Sequence, residues 1–442
     1  MPNLRYPSNV TKSYLIKLSL PIFISNLAIP LVGIIDTGLM GHLENANFLI
    51  ATSLASSVIL MIFWSFGFLR MGTVGLVSQS LAKGDYHEIV NLVVRNIILS
   101  LIISAIIIIM YLPIVNGIEL FFQISQEVYI LIKKYIFIRI FSSPAELILY
   151  VLVGLFLGLQ KTFISSLIII IYSILNIIIS IILVTKFNLN VSGVAFGTLI
   201  SSYAAAIASL VFVYYFFITK LKVIPKLKKN LFNIKKIIKL LTINLDIFIR
   251  TIFLTFAFLW INYLSSKIGE NFIAINSILL QLITISAFFL DAYAYSTEGV
   301  IGYAVGRKSE KTFLNTVKSS IELSFYTGIL IGTIYIFFSK GIINLLTDLD
   351  IIRLYTYEYI FWLVLIPPIA SICYQLDGIF IGATETKSMR DCMIISVSLY
   401  ILISLFFSKV FNNHGIWISV IFLMILRSAT LYFSFKRIMR KF

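Results

Sequence analysis

The stretch 18–43, LSLPIFISNLAIPLVGIIDTGLMGHL, decides the fold. It is predominantly apolar, and Asp36 is its only acidic residue. As a helix rising about 1.5 Å per residue, it is long enough to cross a hydrocarbon layer roughly 30 Å thick. A carboxylate at that depth costs about 2.5–3.5 kcal/mol on insertion scales. A cost of that size marks Asp36 as a working residue. Taking up and releasing a cation during transport is the role that suits it best.

The rest of the chain extends the pattern. Over 442 residues it is 60% hydrophobic, with a mean hydropathy of +1.01. A soluble core cannot absorb that much apolar sequence, because a water-facing surface needs polar cover. Apolar runs recur near 14–40, 48–82, 90–115, 129–156, 163–185, 193–218, 237–265, 273–305, 314–339, 355–381, 392–411 and 415–436. The expected fold class is therefore an all-α polytopic membrane protein with 12 transmembrane helices. The first run is too long for a signal-peptide core and reads as retained.

The net charge is +16, from 35 Lys and Arg against 19 Asp and Glu. In a soluble chain that excess would point to nucleic acid. Here most basic residues fall in alternate loops, which the positive-inside rule assigns to the cytoplasm together with both termini. No nucleic-acid partner is expected. The densest cluster, eight lysines between positions 220 and 239, reads as a basic linker that touches anionic lipid. It divides a first half, 1–218, from a second, 241–442, with the linker at 219–240. Cys373, Cys392 and three histidines have no metal or redox spacing, so neither cofactor nor metal is expected.

The halves echo each other. ENANFLIATSL at 44–54 resembles GENFIAINSIL at 269–279. FGFLRMGTVGLVSQSLAKGD at 66–85 resembles FFLDAYAYSTEGVIGYAVGRKS at 288–309. Read at an offset of about 222–223 residues, the echoes make a parallel repeat of six spans. Transporters with such repeats bind substrate between the halves and alternate access by rocking. At an offset of 223, Asp36 falls opposite Leu259, so the second half has no matching acid.

Several blocks carry a family resemblance: LPIFISN and IIDTGLMGHL in the first span, FWSFGFLRMGTVGLVSQSLAKGD in the second, SSPAELILYVLVGLFLGLQKT and LNIIISIILV in the fourth and fifth, and VSGVAFGTLISSY in the sixth. DIFIRT, LDAYAYSTEGVIGYAVG and LDGIFIGATETKSMR follow in the second half. In order and spacing these resemble the MATE (multidrug and toxic compound extrusion) family, in its DinF-type branch. The resemblance implies a cation-coupled antiporter exporting organic, cationic or amphiphilic compounds, driven by H⁺ or Na⁺. It implies a coupling site of Asp36, Asn176, position 180 and Thr198. The family pattern N-x-x-x-D puts an Asp one turn after the Asn; here Ser180 stands there. Losing that charge weakens a Na⁺ cage at Asp36, Asn176 and Thr198. A lone buried carboxylate suits H⁺, because its neutral form is the cheaper one to desolvate. Pro21 is the expected gate, since proline removes a backbone donor and kinks a helix, and Pro30 is a second candidate.

Other polar groups fall at span depth. Asp246 and Arg250 are four apart, share a helix face and are expected to pair. Asp291 and Glu298 share a face of the eighth span and suit a cationic substrate or a partner such as Arg250. Arg70 falls near Asp291 in the repeat. Trp64, Tyr293 and Tyr295 are the aromatic candidates for a cavity that takes lipophilic cations. Ser143, Pro144 and Glu146 read as a capping box that restarts the fourth span. Asp377 reads as structural, and Glu322 and Arg427 as snorkelling near the interface.

Two rival functions stand beside efflux. A membrane enzyme has only the D-x-D of Asp348 and Asp350 behind it, a weak motif, so no catalytic residue is assigned. A flippase for lipid-linked saccharides shares the broader superfamily. The expected protein is a monomer in the bacterial inner membrane, with small organic substrates and membrane lipids as its partners.

Overall fold

Long apolar runs without water to satisfy their amides must close their hydrogen bonds internally, so they form helices. In a computed structural model, residues 10–43, 45–122, 124–223, 229–347 and 349–442 are described. Among these the chain is helical almost throughout: α1 (Lys12–Gly41), α2 (Ala46–Ser65), α3 (Phe68–Ala82), α4 (Tyr86–Ile109), α5 (Tyr111–Phe121), α6 (Gln126–Ile140), α7 (Ser143–Gly158), α8 (Thr162–Thr185) and α9 (Asn190–Phe216). After the linker come α10 (Ile234–Ile268), α11 (Glu270–Gly306), α12 (Glu310–Leu346), α13 (Asp350–Glu358), α14 (Ile360–Gly382) and α15 (Thr386–Met439). Large apolar side chains lie outward: Ile109, Phe337 and Phe433 are 77%, 74% and 78% exposed. Such a surface is at home only in lipid.

Among the described residues nine apolar helical segments are long enough to span, counting Ala46–Ala82 as one, and ten with the bent pair α6–α7. α10 adds a further helix of 35 residues, and α15 breaks at Asn412, where φ is 49°. The arrangement is consistent with twelve spans.

The repeat is written in the backbone more sharply than in the side chains. Left-handed residues recur at one offset of 224 residues: Gly84 and Lys308, Gln160 and Thr384, Asn188 and Asn412. Two of these pairs end helices in the same way. The N–H of Asp85 reaches Ser80 O and that of Ser309 reaches Ala304 O; the N–H of Lys161 reaches Phe156 O and that of Glu385 reaches Phe380 O. These are the 6→1 bonds of a Schellman cap, which needs a left-handed residue just past the helix. Helix starts obey the same register: Tyr86 and Glu310, Gln126 and Asp350, Thr162 and Thr386. Asn412 therefore divides α15 where Asn188 separates α8 from α9. This register corrects the sequence alignment: Asp36 corresponds to Trp260, not Leu259, and Arg70 to Ala294 rather than to a residue beside Asp291.

Small residues set the helix packing twice over. A Cβ on Gly154 would lie 2.6 Å from Arg70 O and one on Gly158 2.9 Å from Val74 O, so α7 lies directly on α3. A Cβ on Gly378 would lie 2.9 Å from Ala294 O and one on Gly382 2.4 Å from Glu298 O, so α14 lies on α11. Where lipid competes with side chains, such small-residue stripes let backbones approach closely.

The chain forms two compact units. One is Ile24–Leu240; the other is Leu241–Phe442 with the described residues before Ile24. The expected first half therefore differs at its start, because α1 is shared. In the second unit Leu15 and Leu18 bury with Val300, and Lys12 pairs with Glu322 at 2.6 Å. α1 is helical through both Pro21 and Pro30. Residues of the expected linker bond to α4. In the first unit Arg95 Nε donates to Leu231 O at 2.7 Å, and Glu88 binds Arg95 at 2.8 Å and Lys236 at 2.6 Å. Lys226 and Lys228 of that cluster lie outside the described residues.

Candidate cation-coupling site

Three of the four expected residues meet on α8 and α9. Asn176 and Ser180, one turn apart, are fully buried, and Thr198 is nearly so. Asn176 Nδ2 donates to Thr198 Oγ1 at 2.9 Å, Ser180 Oγ to Asn176 Oδ1 at 3.4 Å, and Thr198 Oγ1 to Val194 O at 3.2 Å. Glycines on α9 make this possible. A Cβ on Gly197 would lie 2.2 Å from Ser180 Oγ, and one on Gly193 would lie 3.0 Å from Val184 Cγ2.

α1 brings the fourth residue. Asp36 is half-buried, and its carboxylate engages the Ser180 hydroxyl. Its Oδ1 is buried with no hydrogen-bond partner among the described residues. Lower on the same helix, Ser25 Oγ donates to Ser166 Oγ at 3.2 Å, which seats α1 on α8.

A charged group that the sequence reading missed acts electrostatically on Asp36. Arg139, in the last turn of α6, pairs with Glu146 of α7 at 2.5 Å and also donates to Ser142 Oγ. Ser142 Oγ lies 2.8 Å from Glu146 Oε1. α6 and α7 meet here at 49°. The break in the span is where the sequence placed it, but the capping box is not formed. Ser142, not Ser143, stands at the N-cap without a side-chain cap bond, and Ser143 Oγ has no hydrogen-bond partner among the described residues. Glu146 turns to Arg139 because a guanidinium offers a charge-assisted bond that a neutral N–H does not. The signal was an Arg seven residues, two helical turns, before a Glu.

In the second unit the expected Asp246–Arg250 pair does not form. Asp246 accepts from Arg390 at 2.6 Å and Thr386 at 2.9 Å, while Arg250 pairs with Asp377. Arg427 pairs with the same Asp377 oxygen at 2.6 Å. Partners four apart on one helix share a face, but helices packed against that face offer charges too, and here those win. Arg427 is also not a snorkelling residue, being 1% exposed. Glu298 is buried where α11 meets Gly382, and Asp291 acts on Cys373 and Tyr374 of α14. Tyr293 packs edge-on against Phe23 at 5.1 Å and takes a bond from Thr327 at 3.3 Å. Tyr295 is half-buried, Trp64 exposed and Arg70 buried. Of the D-x-D, Asp348 lies outside the described residues. Among the described residues no cluster of His, Cys, Asp or Glu is arranged for a metal ion.

Helices of spanning length, two repeated units and polar residues grouped at membrane depth define a polytopic membrane transporter. The MatE family model matches residues 21–182 and again 247–408, one copy in each half. The DNA damage-inducible protein F of Escherichia coli is 30% identical over 421 residues, covering 95% of this chain and 91% of that one. The chain thus belongs to the MATE family, in its DinF-type branch. The multidrug export protein MepA of Staphylococcus aureus is 26% identical over 265 residues, 60% of this chain and 58% of that one. Solved structures share the fold. An outward-facing multidrug resistance MATE transporter of the MOP superfamily superposes with a TM-score of 0.87 at 19% identity, covering 99% of this chain and 97% of that one. A MOP superfamily transporter from Pyrococcus furiosus gives the same values.

Proposed function

We propose that this protein is a proton-coupled antiporter that exports organic compounds, cationic or amphiphilic, by alternating access. One observation carries the reading. Asp36 brings a buried carboxylate oxygen, without a hydrogen-bond partner, to a polar cluster at membrane depth. A proton is the smallest cation that satisfies such an oxygen, and it turns the group from acceptor to donor.

The neighbours favour H⁺ over Na⁺. Asn176, Ser180 and Thr198 bond to one another and to Val194 O and bring only neutral oxygens to the cluster. A sodium ion would gain one carboxylate among neutral oxygens, little charge to offset its dehydration. Pro21 serves as the gate: it lies in α1 just before the helix passes from one compact unit to the other after Phe23. The similarity to MepA of Staphylococcus aureus, a multidrug export protein, supports a broad organic substrate range. The protein sits in the cell membrane with both termini in the cytoplasm, on the basic side of its loops.

Purified protein in proteoliposomes, loaded with a cationic dye and given an imposed pH or Na⁺ gradient, tests this. Efflux is expected to follow the pH gradient and to be lost in Asp36→Asn. Efflux that tracks Na⁺ and ignores pH overturns the reading.

A further inference from the structure

The proposed role leaves Asp36 as the lone acid among its expected partners, yet a second acid stands nearby. Arg139 acts electrostatically on Asp36 and is bonded to Glu146. The phenols of Tyr135 on α6 and Tyr172 on α8 feel Asp36, Arg139 and Glu146 together, so the three charges form one cluster. We infer that Glu146, held by Arg139, is the second carboxylate of the coupling site and stands in for the acid that Ser180 lacks. This rests on the reading of Asp36 as the proton carrier.

Charge balance supplies the argument. With Asp36 protonated, Arg139 and Glu146 neutralise each other, and both side chains are nearly out of contact with the surroundings, at 11% and 13% exposure. When Asp36 loses its proton, the cluster holds two carboxylates and one guanidinium. In a poorly polarisable setting that surplus charge is expensive unless the cation is shared. A guanidinium suits sharing, because it presents five donors in a planar fork. Nη1 alone serves both Ser142 and Glu146. The Phe63 ring, 5.3 Å from the guanidinium carbon, gives it a flat surface to turn on.

Location gives the sharing a mechanical outlet. Arg139 ends α6 and Glu146 lies in the first turn of α7, so their bond straddles the 49° bend. Drawing Arg139 toward an ionised Asp36 loosens that brace, and returning the proton restores it. Among the described residues, the other ionisable groups around the cluster are Tyr135, Tyr150 and Tyr172, with Arg70 acting on Tyr150 from α3. None of these phenols supplies a negative charge near neutral pH, so Glu146 is the one group in the set that can act as second acid. In this account Arg139 is a positioning residue.

The test uses the full-length protein, parent and variants. Infrared difference spectroscopy follows the protonated-carboxyl band against pH, which needs no substrate, and ethidium efflux from proteoliposomes follows coupling. Glu146→Gln is expected to move the band's midpoint to more acid pH, because Arg139 then serves Asp36 alone. It is expected to cut pH-driven efflux by about tenfold or more, the scale on which proton-handling side chains change rates. Glu146→Ser combined with Ser180→Asp is expected to return efflux to within about threefold of the parent, because the carboxylate has moved across the site rather than vanished. Glu146→Gln with the parent's midpoint and rate overturns the inference. So does a folded double variant no more active than Glu146→Ser alone, since Glu146 is then only a packing partner. Asp36→Asn separates the two claims: retained coupled efflux there removes the carrier reading, whereas its loss beside an unchanged Glu146→Gln removes only this inference.

Discussion

Trp260 occupies in the second half the position that Asp36 holds in the first. Each meets the serine at the matching place on its own unit's repeat. Asp36 engages Ser180, and Trp260 Nε1 donates to Ser404 Oγ at 2.9 Å. Where one half offers an acid with an unpartnered oxygen, the other has a donor-only indole that has already spent its N–H. The serine is kept in both halves, whereas Asn176, Thr198, Arg139 and Glu146 correspond at the same offset to Tyr400, Phe422, Leu363 and Ala370, so the asymmetry runs through the polar cluster.

Trp260→Phe is therefore expected to leave pH-driven efflux intact while Asp36→Asn abolishes it. Losing the indole bond is expected to lower stability by about 1 kcal/mol, read as a modest fall in thermal unfolding temperature in detergent. A Trp260→Phe protein that folds but no longer couples to the pH gradient contradicts this division of labour.

Gly197 makes a second prediction. A methyl group there meets Ser180 Oγ at 2.2 Å and Ser180 Cα at 2.9 Å, so Gly197→Ala pushes α9 off α8 at the polar cluster. Overpacking of that kind costs about 1–3 kcal/mol, and coupled efflux is expected to fall with it. Gly38→Ala, where nothing lies within 4 Å of the new carbon, is the control. Alanine favours helix over glycine by about 1 kcal/mol, so that variant is expected to match or exceed the parent in stability. Similar behaviour of the two variants would dissociate the close approach from the site.

Much of this was legible in the sequence, for physical reasons. Spans show because a bilayer demands long apolar runs, and Asp36 shows because a carboxylate there is costly. The contact between Asn176 and Ser180 shows because it is local, one turn along a single helix. Pairing between distant segments did not read correctly. Asp246 and Arg250 look like a pair until α14 and α15 bring Asp377 and Arg390 to them. The repeat was visible but misaligned by one or two residues. Side-chain similarity drifts, whereas the left-handed cap positions keep their spacing because helix ends depend on them.

The two glycine stripes predict matched damage. Gly158→Leu drives a side chain into Val74 O and Val77, and Gly382→Leu drives one into Glu298 O and Ile301. Neither site can yield by moving a flexible side-chain end, because the nearest atom in each is backbone. Both variants are expected to lose most of the monodisperse protein on size-exclusion chromatography, to a similar degree. Strong damage from one and none from the other would show that the halves are not packed by the same device.

Asp377 carries the sharpest stability prediction, because its oxygen Oδ2 serves two buried guanidinium groups. The Arg427 side chain is 1% exposed and that of Arg250 8%. Asp377→Asn removes the charge that both cations share. Removing one partner of a buried ion pair costs about 3–5 kcal/mol, and here two are stranded at once. Arg250→Met acts differently. It keeps the Asp377–Arg427 pair and fills the space with an apolar chain of similar length, so the carboxylate stays matched by a buried cation. Thermal unfolding in detergent is therefore expected to rank the parent and Arg250→Met together, with Asp377→Asn far below. Arg250→Met should also keep efflux that depends on Asp36, because this cluster belongs to the other compact unit. If Arg250→Met unfolds as readily as Asp377→Asn, charge balance is not what holds the cluster, and packing around Arg250 must be.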